Sequence, residues 1–228
     1  MNSQTKSILR GFWATILYCF AIQCIGIWTS LPLIMSSSQD FVLNYFPLIQ
    51  SSLQFLAIVL FVYFEQKATL KKLFPPSDFK WYLFAGLIGI SFVFIQTPLN
   101  LGYNFLFGTD FQIQYNFTLQ PETWNNGLLG YILLIPISEE LFFRSYIQRS
   151  LEKNGNPLQA IFWTAIFFAL IHAMEPIFAL DFSAHGWHLA FIALIGGFIS
   201  GGIYYKTKSM GPPILFHVLW NFGVQAFS

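Results

Sequence analysis

Long apolar runs separated by short polar stretches dominate the pattern of hydrophobic and polar positions along this chain. A helix needs about 20 mostly apolar residues to cross the hydrocarbon core of a bilayer. Seven segments approach or exceed this length, at residues 11–34, 43–64, 81–99, 126–147, 158–175, 187–205 and 212–227. None shows the sustained alternation with period two that strands of a membrane barrel require. The pattern therefore predicts an all-α, polytopic bundle of about seven transmembrane helices.

The basic residues are distributed unevenly between the connections. All 11 Lys and Arg lie near the start of the first span or near the ends of the second, fourth and sixth spans. The intervening connections, 35–42, 100–125 and 176–186, contain no Lys or Arg. Cytoplasmic connections of membrane proteins are enriched in these residues. The distribution predicts a cytoplasmic N-terminus and a C-terminus on the outside.

The composition agrees with an integral, multi-pass membrane protein. Hydrophobic residues make up 55% and charged residues 9% of the chain, whereas soluble domains have about 25% charged residues. A net charge of +1 provides no field for binding nucleic acid. We divide the chain into an N-terminal region of three spans, residues 1–125, and a core of four spans, residues 126–228.

Small residues in the sixth predicted span indicate close helix packing. Gly197 and Gly201 form a GxxxG motif flanked by further glycine and serine residues. Such motifs allow the backbones of neighbouring membrane helices to approach each other. We interpret this one as a packing face.

Charged side chains inside the predicted spans are the exceptions that point to chemistry. The fourth span contains Glu139 and Glu140 side by side, and Arg144 follows Glu140 by one helical turn. Intramembrane charges usually face a cavity or a partner. Arg144 can pair with Glu140 along one face, which leaves Glu139, about 100° around the helix, as a candidate general base. Pro136 is expected to free the carbonyl of Ile132 just before this pair.

Two other predicted spans contain histidine in an apolar setting. The fifth span has Phe168 and His172 one turn apart, and the seventh has His217 and Asn221 at the same spacing. A single histidine in an apolar helix is more often structural than catalytic. Three spans that each present a Glu, a His or a His/Asn pair nevertheless favour one shared site. Helix rise leads us to expect it in the cytoplasmic half of the bilayer.

In their order along the chain, these motifs resemble those of the CPBP intramembrane proteases. They read E-E-x-x-x-R, F-x-x-x-H and H-x-x-x-N, and the resemblance covers about residues 130–225. That family includes type II CAAX prenyl endopeptidases and the abortive-infection and bacteriocin-processing proteins of bacteria. The resemblance implies an intramembrane endopeptidase acting on a membrane-associated or lipidated substrate, and a bacterial cell membrane is expected. It also implies that Arg144 holds Glu140.

The resemblance assigns roles to four further residues. Glu139 would activate the attacking water with help from His172, and His217 and Asn221 would stabilise the oxyanion. General peptide chemistry needs the same parts, namely a base, an oxyanion donor and water admitted to a site that otherwise excludes it.

The involvement of a metal ion stays open at this point. Glu139, His172 and His217 could provide three zinc ligands with a fourth position for water. Members of the family have been described both as metalloproteases and as metal-independent glutamate proteases. Because Asn is a poor zinc ligand and suits an oxyanion donor, the Asn221 position favours the metal-free alternative.

Two other functions are compatible with buried carboxylates. A proton-coupled transporter could use Glu139, Glu140 and His172 as a proton relay, although this does not account for the nearby His217 and Asn221. A non-catalytic membrane scaffold or immunity protein could keep the fold without the activity. The intact motifs favour the peptidase, whose expected partners are membrane lipid and a peptide or membrane-protein substrate.

The uneven distribution of basic residues provides a test of the topology. With the two native cysteines replaced, single cysteines within 100–125 and 176–186 should react with a membrane-impermeant thiol reagent in intact cells. Cysteines within 65–80 and 148–157 should react only after the membrane is permeabilised. Labelling of the second group in intact cells would overturn the predicted topology.

Overall fold

A computed structural model describes residues 2–34, 39–66, 70–112, 126–178 and 180–227 of the chain. All regular secondary structure within these residues is helical. The all-α prediction is therefore confirmed for the described part of the chain. Residues 113–125, half of the predicted outer connection 100–125, lie outside it.

The described residues form seven substantial helices and two short ones. In chain order they are α1 (Ser3–Ile34), α2 (Gln39–Gln66), α3 (Leu70–Leu73), α4 (Phe79–Phe107), α5 (residues 126–154), α6 (Pro157–His172), α7 (Met174–Phe178), α8 (Ala184–Thr207) and α9 (Gly211–Phe227). Each predicted span coincides with one of the seven substantial helices. The helix α4 extends beyond the predicted end at residue 99, because the sequence that follows is still largely apolar.

Helix length separates six of the seven helices into two groups. By length and composition, α1, α2, α4 and α8 can each cross a membrane. In contrast, α6 and α9 contain 16 and 17 residues, fewer than the about 20 that a span usually needs. The number of seven spans and the cytoplasmic N-terminus thus stay predictions.

Polar contacts join helix ends that the sequence pattern places on the same side of the membrane. At one end, ion pairs join connections that the sequence places on the same side of the membrane: Arg10–Glu65 at 3.1 Å and Lys208–Glu152 at 2.5 Å. At the opposite end, the Tyr103 hydroxyl donates a hydrogen bond to the carbonyl of Ala184 at the start of α8. The fold therefore groups these helix ends as the sequence pattern does.

Glycine residues allow close packing around the catalytic candidates. A Cβ atom added at Gly197 would lie 3.1 Å from the Cα of Ala165, and one at Gly201 would lie 3.2 Å from Ile161 Cγ2. The GxxxG face of α8 thus packs against α6, as the sequence predicts. On α4, a Cβ at Gly89 would lie 2.5 Å from the carbonyl oxygen of Phe216, so α9 packs equally closely there.

The helix α5 departs from regular α-helical hydrogen bonding. Its α-helical parts alternate with two π-helical segments, in the order Asn126–Leu129 (α), Gly130–Leu134 (π), Ile135–Glu140 (α), Leu141–Gln148 (π) and Arg149–Asn154 (α). Segments with π-type bonding are rare and are frequently found at functional sites. The paired carboxylates lie at the end of the short α-helical part between them.

Pro136 affects the carbonyl of Tyr131 in addition to the expected effect on Ile132. In a regular α-helix, a proline at this position would leave the carbonyl of Ile132 without a donor. In the structure, the Ile135 N–H donates to the carbonyl of Gly130, five residues earlier. The Tyr131 carbonyl has thereby lost its α-helical donor. Its π-helical donor would be Pro136, which has no N–H, so the Tyr131 carbonyl needs a partner from outside α5.

Candidate functional site

The carboxylate of Glu140 is the centre of a buried polar network. Its Oε2 accepts hydrogen bonds from Arg144 Nε at 3.0 Å and from Ser200 Oγ at 2.6 Å. Its Oε1 lies 3.1 Å from Nδ1 of His217. The side chains of Glu140 and Arg144 are 1% and 0% exposed. A buried charge is tolerated when it is paired and hydrogen-bonded, and here the donors come from α5, α8 and α9.

The imidazole of His217 lies between the two carboxylates. Because a carboxylate accepts hydrogen bonds, the contact with Glu140 places a proton on Nδ1 of His217. The other ring nitrogen, Nε2, lies 3.8 Å from Oε2 of Glu139. Trp220 stacks on the imidazole with ring centroids 5.4 Å apart. The ring is therefore held with Nε2 towards Glu139.

Phe168 connects three polar side chains of the site. Its carbonyl lies 2.9 Å from Nδ1 of His172, so that nitrogen carries the proton and Nε2 is left as an acceptor. The aromatic ring packs edge-on against His217 with centroids 5.6 Å apart. The guanidinium of Arg144 lies 5.6 Å from the centre of the same ring, within the range of a cation–π contact. The phenylalanine of the F-x-x-x-H motif thus fixes both histidines.

Glu139 and His172 share a cavity of about 250 Å³ between α1, α2, α5 and α6. Glu139 lies next to Glu140 in the sequence but points to a different side of α5, since adjacent helical residues are about 100° apart. The cavity is large enough for several water molecules, each of which occupies about 30 Å³ in the liquid. Neither His217 nor Asn221 is among the residues that line it.

Asn221 makes a contact that the sequence does not predict. Its amide Nδ2 donates to the carbonyl of Tyr131 at 3.0 Å, which is the carbonyl that the irregular bonding of α5 leaves without a helical donor. This bond joins α9 to α5 about 12 Å along the helix before the carboxylate pair. A side-chain amide has two N–H groups, so one donor of Asn221 is not used by this contact.

The donor types near Glu139 suit zinc, but the structure does not arrange them as a metal site. Carboxylate and imidazole are normal zinc ligands, and both histidines have Nδ1 hydrogen-bonded, as metal-ligating histidines usually do. Within the described residues, no group of three or more His, Cys, Asp and Glu side chains is placed to hold a metal ion. The predicted ligands Glu139, His172 and His217 therefore do not form such a group.

The family comparison agrees with this geometry. Residues 121–223 match the family model of the Rce1-like proteins, described as type II CAAX prenyl endopeptidases. The matched segment is similar to the Rce1-like family. No curated protein and no solved structure matches the chain. The match includes every site residue that the sequence singles out, and together with the apolar helices it identifies an integral membrane protein of a protease family.

Several residues of the site give no recognisable signal in the sequence. Ser200 lies in the small-residue face of α8, where serine is equally expected for packing, and its bond to Glu140 crosses between helices. The cavity wall opposite the Rce1-like segment comes from α1 and α2: Tyr18, Cys19, Ile22, Gln23, Gln50 and Gln54. For the three glutamines of this wall, the sequence offers a weak signal: each is a polar residue within an apolar stretch.

Replacing Arg144 with alanine should destabilise the protein. The change leaves the buried Glu140 carboxylate without its guanidinium, and breaking a buried pair in this way typically costs about 3–5 kcal/mol. We expect lower expression and a lower melting temperature in detergent. Lys153→Ala, at an exposed position of α5, is the control and should behave like the wild type. Equal melting temperatures for the two variants would contradict the importance of the pair.

Proposed function

We propose that this protein is an intramembrane endopeptidase that hydrolyses a peptide bond in a membrane-associated or lipidated substrate. The observation that carries the proposal is that Glu139 and His172 share a cavity inside an apolar helical bundle. The segment that holds both residues is Rce1-like. A carboxylate and an imidazole that face the same cavity can activate water for attack on a carbonyl group.

In the first step, Glu139 accepts a proton from a water molecule in the cavity while the water oxygen bonds to the carbonyl carbon of the substrate. His172 can accept a hydrogen bond from the same water through Nε2, because its Nδ1 is engaged by Phe168. The carbonyl oxygen becomes an oxyanion. Glu139 then passes the proton to the leaving nitrogen as the C–N bond breaks, which restores its carboxylate.

His217 and Asn221 are the proposed donors to the oxyanion. His217 takes this role as an imidazolium, in which both ring nitrogens carry a proton. Its Nδ1 then donates to Glu140, and its Nε2, which is held towards Glu139, donates to the oxyanion. Asn221 has one amide N–H that the bond to Tyr131 does not use. Donors held in place before the reaction stabilise developing charge without reorganisation at the moment of attack. Arg144 and Ser200 act through Glu140, which they hold in place.

We propose a glutamate-type reaction without a bound metal. The imidazole and amide side by side on α9 suit donation to an oxyanion, and Asn is a poor ligand for zinc. In a metal-dependent reaction, Glu139, His172 and His217 would be the residues to hold zinc, and the metal would polarise the carbonyl group and the bound water.

Replacing Glu139 with glutamine should abolish peptidase activity while the fold is kept. Glutamine has the same shape but cannot accept the proton, and a general base contributes about 10²–10⁴-fold to the rate. The assay is cleavage of a fluorescence-quenched peptide with a farnesylated cysteine near its C-terminus, in detergent micelles. Glu152→Gln, farther along α5, is the matched control and should retain activity. Cleavage by Glu139→Gln at the wild-type rate would refute the assigned role.

Metal analysis of the active enzyme distinguishes the two mechanisms. After washing with a chelator, the protein should keep its activity on the same peptide, and elemental analysis should find no stoichiometric zinc. The contrary result is a stoichiometric zinc whose removal abolishes activity and whose return restores it. That result would establish a metallopeptidase and leave the family assignment unchanged.

A further inference from the structure

The wall of the cavity that faces Glu139 contains three glutamine side chains. Gln23 comes from α1, and Gln50 and Gln54 come from α2. All three lie outside the Rce1-like segment 121–223. Gln54 is buried, Gln50 is partly buried and Gln23 is exposed. Burying an amide among apolar groups costs free energy unless its polar atoms find partners, so the two glutamines of α2 at this cavity need an explanation.

Gln54 is held firmly and presents an acceptor. Its Nε2 donates to the hydroxyl of Tyr18 at 2.9 Å and to Oγ of Ser138 at 3.2 Å. These two bonds use both N–H groups of the amide. The amide oxygen receives no hydrogen bond from the described residues. Gln54 and Glu139 line the same cavity.

Gln50 and Gln23 have no hydrogen-bond partner among the described residues. Gln50 is partly buried and lies against α1, with its Nε2 3.2 Å from the position that a Cβ on Gly26 would occupy. Each of these amides has both donor and acceptor capacity left. The wall therefore combines a fixed acceptor with two amides that can donate and accept.

We propose that Gln50 and Gln54 bind the main chain of the substrate in an extended conformation next to Glu139. The two residues are four positions apart, which is about 6 Å along a helix axis. An extended peptide repeats its N–H and C=O groups on one side every two residues, about 6.6–6.8 Å. The spacing of the two amides thus matches that of an extended chain, and Gln23 lines the same cavity from α1.

This inference rests on the proposed peptidase activity and adds a binding site to it. Contacts to main-chain groups are independent of the substrate's side chains. The glutamines would therefore place the scissile bond near Glu139 for many sequences, while other parts of the substrate determine which protein is cut. Contacts made equally in the ground state and transition state lower KM without changing kcat.

The test compares Gln50→Leu with the wild type on the farnesylated, quenched peptide. Loss of one hydrogen bond, about 0.5–1.5 kcal/mol, should raise KM about two- to tenfold and leave kcat unchanged. Gln50 has no partner within the described residues, so the melting temperature should stay at the wild-type value. The control is Gln225→Leu, at an exposed position of α9, which should leave KM unchanged.

A second set of peptides identifies the bonded group. In each, an ester replaces one amide near the scissile bond, which removes a main-chain N–H. At one position the ester should raise KM for the wild type. The same ester should cause little further rise in KM for Gln50→Leu or Gln54→Leu, since the glutamine that bonds this N–H is already missing there. Equal effects of every ester on all three proteins, or an unchanged KM in both variants, would overturn the inference while the peptidase proposal stands. Failure of the wild type to cleave any of the peptides would refute both.

Discussion

The pairing of the Glu140 carboxylate inside an apolar bundle is the constraint on which the rest of the site depends. A charge there must be compensated, and the compensation comes from Arg144 on its own helix, Ser200 on α8 and His217 on α9. These hydrogen bonds fix the positions of α5, α8 and α9 relative to one another. They also fix the ring of His217, because the nitrogen bonded to Glu140 determines which nitrogen faces Glu139.

The same pairing separates the roles of two chemically identical side chains. Glu139 and Glu140 are neighbours on α5 and so diverge by about 100°, one towards α8 and α9 and the other towards the cavity beside α1 and α2. The Glu140 carboxylate, with three donors, is a structural centre, whereas the buried Glu139 faces the cavity. A separate bond also joins α9 to α5, since the carbonyl of Tyr131, left without a helical donor, is bonded by Asn221.

Contacts that depend on residue spacing along one helix could be predicted from the sequence. Hydrogen bonds between different helices could not. The helices follow from apolar runs, and the Glu140–Arg144 pair follows from a separation of four residues. The bond from Ser200 to Glu140 depends on how α8 is rotated against α5, which hydrophobicity alone leaves undetermined. The shift to π-type bonding also left the carbonyl of Tyr131 without a helical donor, which the position of the proline alone does not encode.

The division between the Rce1-like segment and the first two helices follows from different physical demands. The reacting groups must be held by charge pairing and close packing, which ties residues of α5, α6, α8 and α9 to one another and leaves little tolerance for change. The wall formed by α1 and α2 faces Glu139 across the cavity and is joined to α5 by the bond from Gln54 to Ser138. None of the described residues of this wall is hydrogen-bonded to Glu140, so changes there leave the Glu140 network intact. Under the proposed function, residues of these helices that contact the substrate can therefore change while the reacting groups are preserved. This separation explains how recognisable catalytic motifs can accompany N-terminal helices that carry no motif of their own.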